Sequence, residues 1–304
     1  MDRRQSGAGR RTIGIIWAAS LVATAIVSLL ASSWMQGAWP GSPDSRGDRR
    51  RALISVMRMN LAKAAEKEKC AVIALNDEES RNYADQSRQS SEYVDRDLRS
   101  LGGLIARDGS GEERELLKKF EASWNVRRQI ETALLDTATE NTNMKALELS
   151  DTIGSELLQK FHDDLVKLTS RVTPPTRRTE MDKSAGQAEV AALNLALLQK
   201  RHINAPTDAD KIAIETAIKA AEQKADSALK SLETMSGKKT GPFMKGALSD
   251  FSQFMQVGEE IVRLSRINSN RSAIETSLGR KRLADAECDR ELKALQASGT
   301  GLIK

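Results

Sequence analysis

Glu140–Ser150 reads ENTNMKALELS, and Ile267–Ser277 reads INSNRSAIETS. At a constant offset of 127, Asn141, Asn143, Ala146, Glu148 and Ser150 match Asn268, Asn270, Ala273, Glu275 and Ser277. In the same register Trp124 matches Phe251 and Leu134 matches Ile261, while VDRDLRSL (Val94–Leu101) resembles ADSALKSL (Ala225–Leu232). A repeat of this length that cannot bury its apolar face alone implies that two copies pack together. The chain therefore reads as two duplicated helical hairpins.

Outward from the repeat, the composition is helical. Aromatics make up 4% of the 304 residues and there are 6 prolines, so Ala, Leu, Glu, Lys, Arg and Gln dominate. Ile54, Met57, Leu61, Ala65, Val72, Leu75, Tyr83, Val94, Leu98 and Leu101 recur near three-to-four spacing without an intervening proline, which predicts one helix from about 50 to 105. The DGSGEE segment (Asp108–Glu113) predicts a turn, with Ser110 as the cap of a second helix from about 112 to 171. VTPPTRRT (Val172–Thr179) breaks that helix. A third helix follows from about 182 to 235, interrupted at NAPTD (Asn204–Asp208), and SGKKTGP (Ser236–Pro242) separates it from a fourth that reaches about 296. Short turns make neighbours antiparallel, so the expected fold is all-α, a long up-down-up-down four-helix bundle. The first hairpin spans 50–171, a connector 172–181, the second hairpin 182–296 and a C-terminal tail 297–304.

The N-terminal part has another character. Residues 1–11 form a short basic tail, and 12–35 (TIGIIWAASLVATAIVSLLASSWM) carry no charge. A run of this length suffices to cross a ~30 Å hydrocarbon core and exceeds the core of a cleaved signal peptide. Trp34 and Trp39 stand at its edge, where indoles favour the interface. Residues 36–49 (QGAWPGSPDSRGDR) read as a linker. Arg3, Arg4, Arg10 and Arg11 precede the run and place the N-terminus in the cytoplasm by the positive-inside rule. The expectation is a single-pass protein of the cell (inner) membrane with its helical body periplasmic or extracellular, bound to lipid through the N-terminal helix.

Charge excludes one class of function. The chain holds 47 Lys and Arg against 42 Asp and Glu. Setting aside the four flanking arginines and Asp2 leaves the body nearly neutral, so a nucleic-acid surface is not expected. His162 and His202 lie in different helices with no second ligand at helical spacing, and Cys70 and Cys288 match no metal or redox motif. No phosphate loop or activated nucleophile is visible. The reading is non-enzymatic, without metal or cofactor.

Setting the four helices side by side from their turns places Asn141 level with about Glu78, Asp208 and Asn268. Glu78, Asn141, Asn143, Asp208, Asn268 and Asn270 then form a polar layer. One reading is a register device, as single core asparagines are in coiled coils; the other is a pocket for a ligand or cation, helped by backbone exposed at the broken third helix. On the register reading, replacing Asn141 and Asn268 by Leu raises stability. The same alignment separates Cys70 from Cys288 by roughly 16 Å, beyond disulfide reach. Arg96, Arg99 and Arg107 fall at the outer tip, where they either meet a carboxylate ligand or form a solvated face with Asp95, Asp97 and Asp108.

The membrane run, the helix containing EKEKCAVIALNDEESRNYADQS (Glu66–Ser87), the short turn, and FEASWNVRRQIETALLDTATENTNMKAL (Phe120–Leu147) together resemble the four-helix-bundle sensor domain of methyl-accepting chemotaxis receptors. The resemblance covers about residues 50 to 170 and is weaker beyond. It implies a sensory domain that binds a small molecule outside the membrane and self-associates. Receptors of that family continue into a second membrane helix, a cytoplasmic relay and a methylated hairpin, for which these 304 residues offer no counterpart. The expectation is therefore a chemoreceptor-like module without its own output, acting as a homodimer or through a separate signalling membrane protein. The competing expectation is a structural rod that positions partner proteins at the membrane.

Overall fold

The computed structural model describes residues 46–298, and the compact helical unit begins at Arg50. The basic tail, the apolar run 12–35, residues 36–45 of the linker and residues 299–304 lie outside the described residues, while residues 46–49, expected as the end of the linker, are already helical. Among the described residues no helix is long and apolar enough to cross a membrane. Within 46–298 all regular structure is helical: α1 (Arg46–Ile73), α2 (Asp77–Asp108), α3 (Gly111–Glu140), α4 (Thr142–Leu149), a first π turn (Ser150–Gly154), α5 (Ser155–Ser170), α6 (Pro175–Ile203), α7 (Asp208–Met235), α8 (Gly241–Ile267), α9 (Ser269–Thr276), a second π turn (Ser277–Lys281) and α10 (Arg282–Ser298).

The duplication is structural. Glu140 and Ile267 end α3 and α8, the following asparagines break both helices, and the two π turns begin at Ser150 and Ser277, all at the offset of the sequence repeat. Each repeat is a hairpin of two helices followed by one long interrupted helix.

The expectation of one four-helix bundle is corrected at Ala74–Asn76. The chain reverses there: Ser80 Oγ donates to the Ala71 carbonyl (3.0 Å) and Ser87 Oγ to that of Ala64 (2.9 Å), contacts that only an antiparallel α1–α2 hairpin allows. The local cause is a helix start. Asn76 is extended and accepts from the Glu79 N–H at 2.8 Å, and Asp77, Glu78 and Glu79 fill the first turn of α2 where the helix dipole favours them. The interruption at Asn204–Asp208 is likewise a reversal. Thr207 caps α7, and Arg177 Nη2 at the start of α6 reaches the Met235 carbonyl at the end of α7 (2.6 Å). The connector is also shorter than expected, since Pro175 occupies the first turn of α6, where its missing N–H costs nothing.

Two four-helix bundles in series result. In the first, α1, α2, α3 and α10 enclose Ile54, Met57, Leu61, Leu101, Ile105, Phe120, Trp124, Cys288 and Leu292. In the second, α5, α6, α7 and α8 enclose Phe161, Leu165, Leu168, Leu195, Ile214, Leu229, Phe251 and Phe254. Each hairpin is thus completed by one long helix of its own repeat and by the far half of the other repeat's long helix. Neither repeat closes a bundle alone.

Helix reversal also relocates one end. Ser110 and Glu113 form a capping box at the start of α3, and Glu113 pairs with Arg50 at 3.2 Å. The Gly109–Ser110 turn therefore lies beside the start of α1 and the end of α10, where Gln296 meets Ser55.

Candidate functional site

The junction between the bundles is built from two backbone breaks. Asn141 (φ 50°) and Asn268 (φ 56°) both adopt the left-handed conformation, which Asn tolerates because its short amide bonds locally. Their neighbours interlock about a pseudo-two-fold axis. Thr142 N–H donates to Ser269 Oγ and Ser269 N–H to Thr142 Oγ1, both at 3.0 Å. Asn270 Nδ2 donates to Asn141 Oδ1 (3.0 Å), and Asn143 Nδ2 donates to Asn268 Oδ1 (2.9 Å). Asn143 also reaches the Ile203 carbonyl, and Asn141 donates to Asp77 Oδ1 at 3.0 Å.

Just beyond, Thr142, Ala146, Ser150 and Gly154 are buried in steps of four, as are Ser269, Ala273, Ser277 and Lys281. Three successive steps of four would rotate an α-helical face by about 120°. The wider i→i+5 turn at each π segment holds these buried residues on one side.

The structure brings together Asn141, Asn143, Asn268 and Asn270 of the six layer residues. Glu78 is exposed and lines a neighbouring hollow of about 590 Å³ with Leu75, Met144, Leu147, Glu148 and Asp151. Asp208 is exposed as the first residue of α7, because the residue after a cap points away from the capped turn. Most of the layer's amide groups are spent on one another, while Asn143 Oδ1 is buried without a hydrogen-bond partner. Asp77 joins them, and the sequence signalled it only through the acidic first turn of α2. Arg96 is exposed, pairs with Asp97 (3.2 Å) and lies over the Tyr93 ring. Arg99 is exposed, and Arg107 donates to the Gly103 carbonyl. None of the three is at a far tip: α2 runs back from the junction, so Arg107 ends beside the Arg50–Glu113 pair's end of the unit.

A second polar cluster carries no motif that the sequence pattern reveals. In the first bundle, buried Arg127 pairs with Glu131 and Asp285, both at 2.9 Å, and stacks over Trp124. Buried Lys281 joins Asp285 (2.6 Å) to Glu68 (3.2 Å), and Glu68 accepts from Ser277. Ser87 and Ser91 donate to Glu131. Burial pushes the Glu131 carboxyl up, but Arg127, Ser91 and Arg128 outweigh it and hold it below the usual range. In the long helices, which repeat at an offset of 127, Phe254 stands for Arg127, Gly258 for Glu131, Gly154 for Lys281 and Leu158 for Asp285; in the hairpins, where Asp77 and Asp208 open α2 and α7 at an offset of 131, Gln199 stands for Glu68, Ile218 for Ser87 and half-buried Glu222 for Ser91. One bundle has an ionic core and its duplicate does not.

A third cluster joins the α6–α7 tip to α8. His202 Nδ1 lies 2.9 Å from Ser265 Oγ, and its Nε2 lies 2.9 Å from Glu215. Arg266 also holds Glu215, and Lys211 donates to the Ser265 carbonyl. The order carboxylate, imidazole, hydroxyl matches a hydrolytic triad in composition. However, His202 and Ser265 are 0% exposed, so a substrate carbonyl has no approach and the cluster acts as a tie. Burial lowers the His202 pKa, against the raising effect of Glu215.

Both cysteines are free thiols. Cys70 lies two residues beyond Glu68, whose partners Ser277 and Lys281 are well short of Cys288 along α10. Burial pushes the Cys288 thiol up to about 11. Among the described residues no group of histidines, cysteines and carboxylates is arranged to hold a metal ion. No family model, no curated protein and no solved structure matches this chain.

Proposed function

We infer that the chain is a membrane-anchored, non-enzymatic sensory module, held through Thr12–Met35, whose two bundles respond jointly to a small molecule or partner outside the membrane. The observation that carries this reading is the asymmetry of the duplicated cores. A buried ion network adds little net stability relative to apolar packing, and the second bundle carries the uncharged Phe254, Gly258, Gly154 and Leu158 where the first has Arg127, Glu131, Lys281 and Asp285. An ionic core kept in one copy suits a bundle that must change its packing, because charged partners can exchange between discrete arrangements. The same two long helices enter both cores, so a shift of α3 or α10 in the first bundle acts on α5 or α8 in the second through the paired asparagine breaks. The resemblance to chemoreceptor sensor domains supports the same class, with the output carried by another copy or a separate signalling protein.

The alternative is a scaffolding rod that positions partner proteins. It is favoured by one observation, the bonding of the junction asparagines to one another and to Asp77, which leaves Asn143 Oδ1 as the layer's one buried amide atom without a partner among the described residues.

A thermal-shift panel of organic acids, amino acids and divalent cations on the full chain in detergent separates the two. A ligand that binds only the native state at 100 times its Kd adds about 2.7 kcal/mol, and at least one such shift is expected. A flat panel transfers the assignment to the rod.

A further inference from the structure

The internal two-fold at the junction relates the outward face of α4 to that of α9, so the two faces point in opposite directions. Duplicated faces begin alike, yet these two have opposite character. On the α4 side, Glu140, Glu148 and Asp151 surround Met144 and Leu147, with Glu78 at the edge, and the one lysine among them, Lys145, is met by Asp77 at 3.1 Å. On the α9 side, Arg271, Arg280 and Arg282 surround Ile274, Leu278 and Leu283, the last two 61% and 64% exposed. Position by position, Met144 stands where the second repeat has Arg271, Asp151 where it has Leu278, and Ser155 where it has Arg282. The π turn keeps Leu278 and Leu283 on one face, since a five-residue step across it replaces the usual four.

Local pairing leaves charge over on both sides. Asp151 pairs with Lys200 (2.6 Å) and Arg271 with Glu275 (2.9 Å), but these are exposed pairs of small value. Glu140, Glu148 and Arg280 carry no ion-pair partner among the described residues.

We propose that the acidic face of α4 on one chain docks against the basic, leucine-bearing face of α9–α10 on a second copy of the same chain. Opposite charge around exposed apolar side chains on each face supplies the complementarity. The contact is heterologous, because two different patches meet, and faces pointing apart extend such a contact into a series rather than closing it as a dimer. Each stripe covers about 12 or 13 residues, or roughly 20 Å of helix, and at a helix width of about 10 Å on the order of 200 Å². That falls below the ~800 Å² per partner of a stable complex. The association is accordingly weak in solution and is strengthened where copies share a membrane and their effective concentration rises.

Sedimentation velocity of the full chain in detergent at low ionic strength tests this. The weight-average mass should rise with concentration past twice the monomer and fall back toward monomer at about 0.5 M salt, where the Debye length is only a few ångströms. Arg280→Glu with Arg282→Glu should abolish the growth, as should Glu140→Lys with Glu148→Lys. Mixing the two variants should restore growth as an alternating series, since each native face then meets its native complement and each altered face its altered complement; that recovery also shows that both variants fold. A chain carrying all four changes should regain series growth by itself. A wild-type chain that stays monomeric, closes at two, or associates regardless of the four substitutions would overturn the proposal.

Discussion

Replacing Asn141 by Ala and, separately, by Gly resolves what the junction break is made of. Both substitutions remove the same side-chain contacts, to Asp77 Oδ1 and from Asn270 Nδ2. Leaving buried partners unmatched costs about 1–3 kcal/mol. Only Ala also meets the left-handed backbone at φ 50°, which costs an L-residue with a Cβ roughly 1–2 kcal/mol and glycine almost nothing. Asn141→Gly should therefore destabilise by about 1–3 kcal/mol and Asn141→Ala by about 2–5 kcal/mol. At roughly 2–4 °C per kcal/mol for a domain near 250 residues, the two variants should differ by about 2–8 °C in Tm. Differential scanning calorimetry with a reversibility check is the assay. Equal losses, or a larger loss for Gly, would refute the backbone argument. The sign for Leu follows as well: Asn141→Leu with Asn268→Leu should lower Tm, opposite to what a simple register asparagine in a continuous helix predicts.

Three further outcomes follow from the buried groups. Arg127→Met should cost about 3–5 kcal/mol by leaving Glu131 without its principal partner, whereas combining it with apolar replacements at Glu131, Glu68 and Lys281 should restore most of the loss; chemical denaturation measures both. Because the His202 pKa is lowered in the fold by burial, its contribution is complete above the unfolded value of about 6.5 and declines as pH falls through the folded value. The unfolding free energy of wild type should drop over that window, and His202→Gln should flatten that segment of the profile. A thiol reagent at neutral pH should modify Cys70 in the native chain and leave Cys288, buried with its pKa near 11, unreacted until denaturant is added.

Much of the architecture was legible because the repeat preserved it. The matched asparagines marked the junction, and turn arithmetic placed Asn141, Asn143, Asn268 and Asn270 at one height, where they meet. The reversal at Ala74–Asn76 was not legible as such, because it carries neither proline nor glycine and the apolar spacing continues through it. Whether a capped break bends or reverses a chain is decided by what the next helix packs against. Its repeat partner at Asn204–Asp208 did carry Pro206, and reading it back at the 131-residue offset of the Val94–Leu101 and Ala225–Leu232 match, onto residues 73–77, would have located the first hairpin. The Arg127–Glu131–Asp285–Lys281 network was hidden for a different reason. Arg and Lys at core spacing look like the solvated edge of an amphipathic helix, and only serines on the facing helix, Ser87 and Ser91, make room for them.

The two-bundle fold requires each hairpin to fold back on itself and to be completed by both long helices. Spin labels at Ala62→Cys and Gln89→Cys, in a chain with Cys70 and Cys288 replaced by Ser, test it through their mutual distance by pulsed electron resonance. These positions flank the Ala64–Ser87 contact of the α1–α2 hairpin, so the expected separation is below about 20 Å, two label arms across neighbouring helices at 8–10 Å. A continuous helix from 50 to 105 would instead hold them about 40 Å apart at 1.5 Å per residue, and that result would contradict the two-bundle fold.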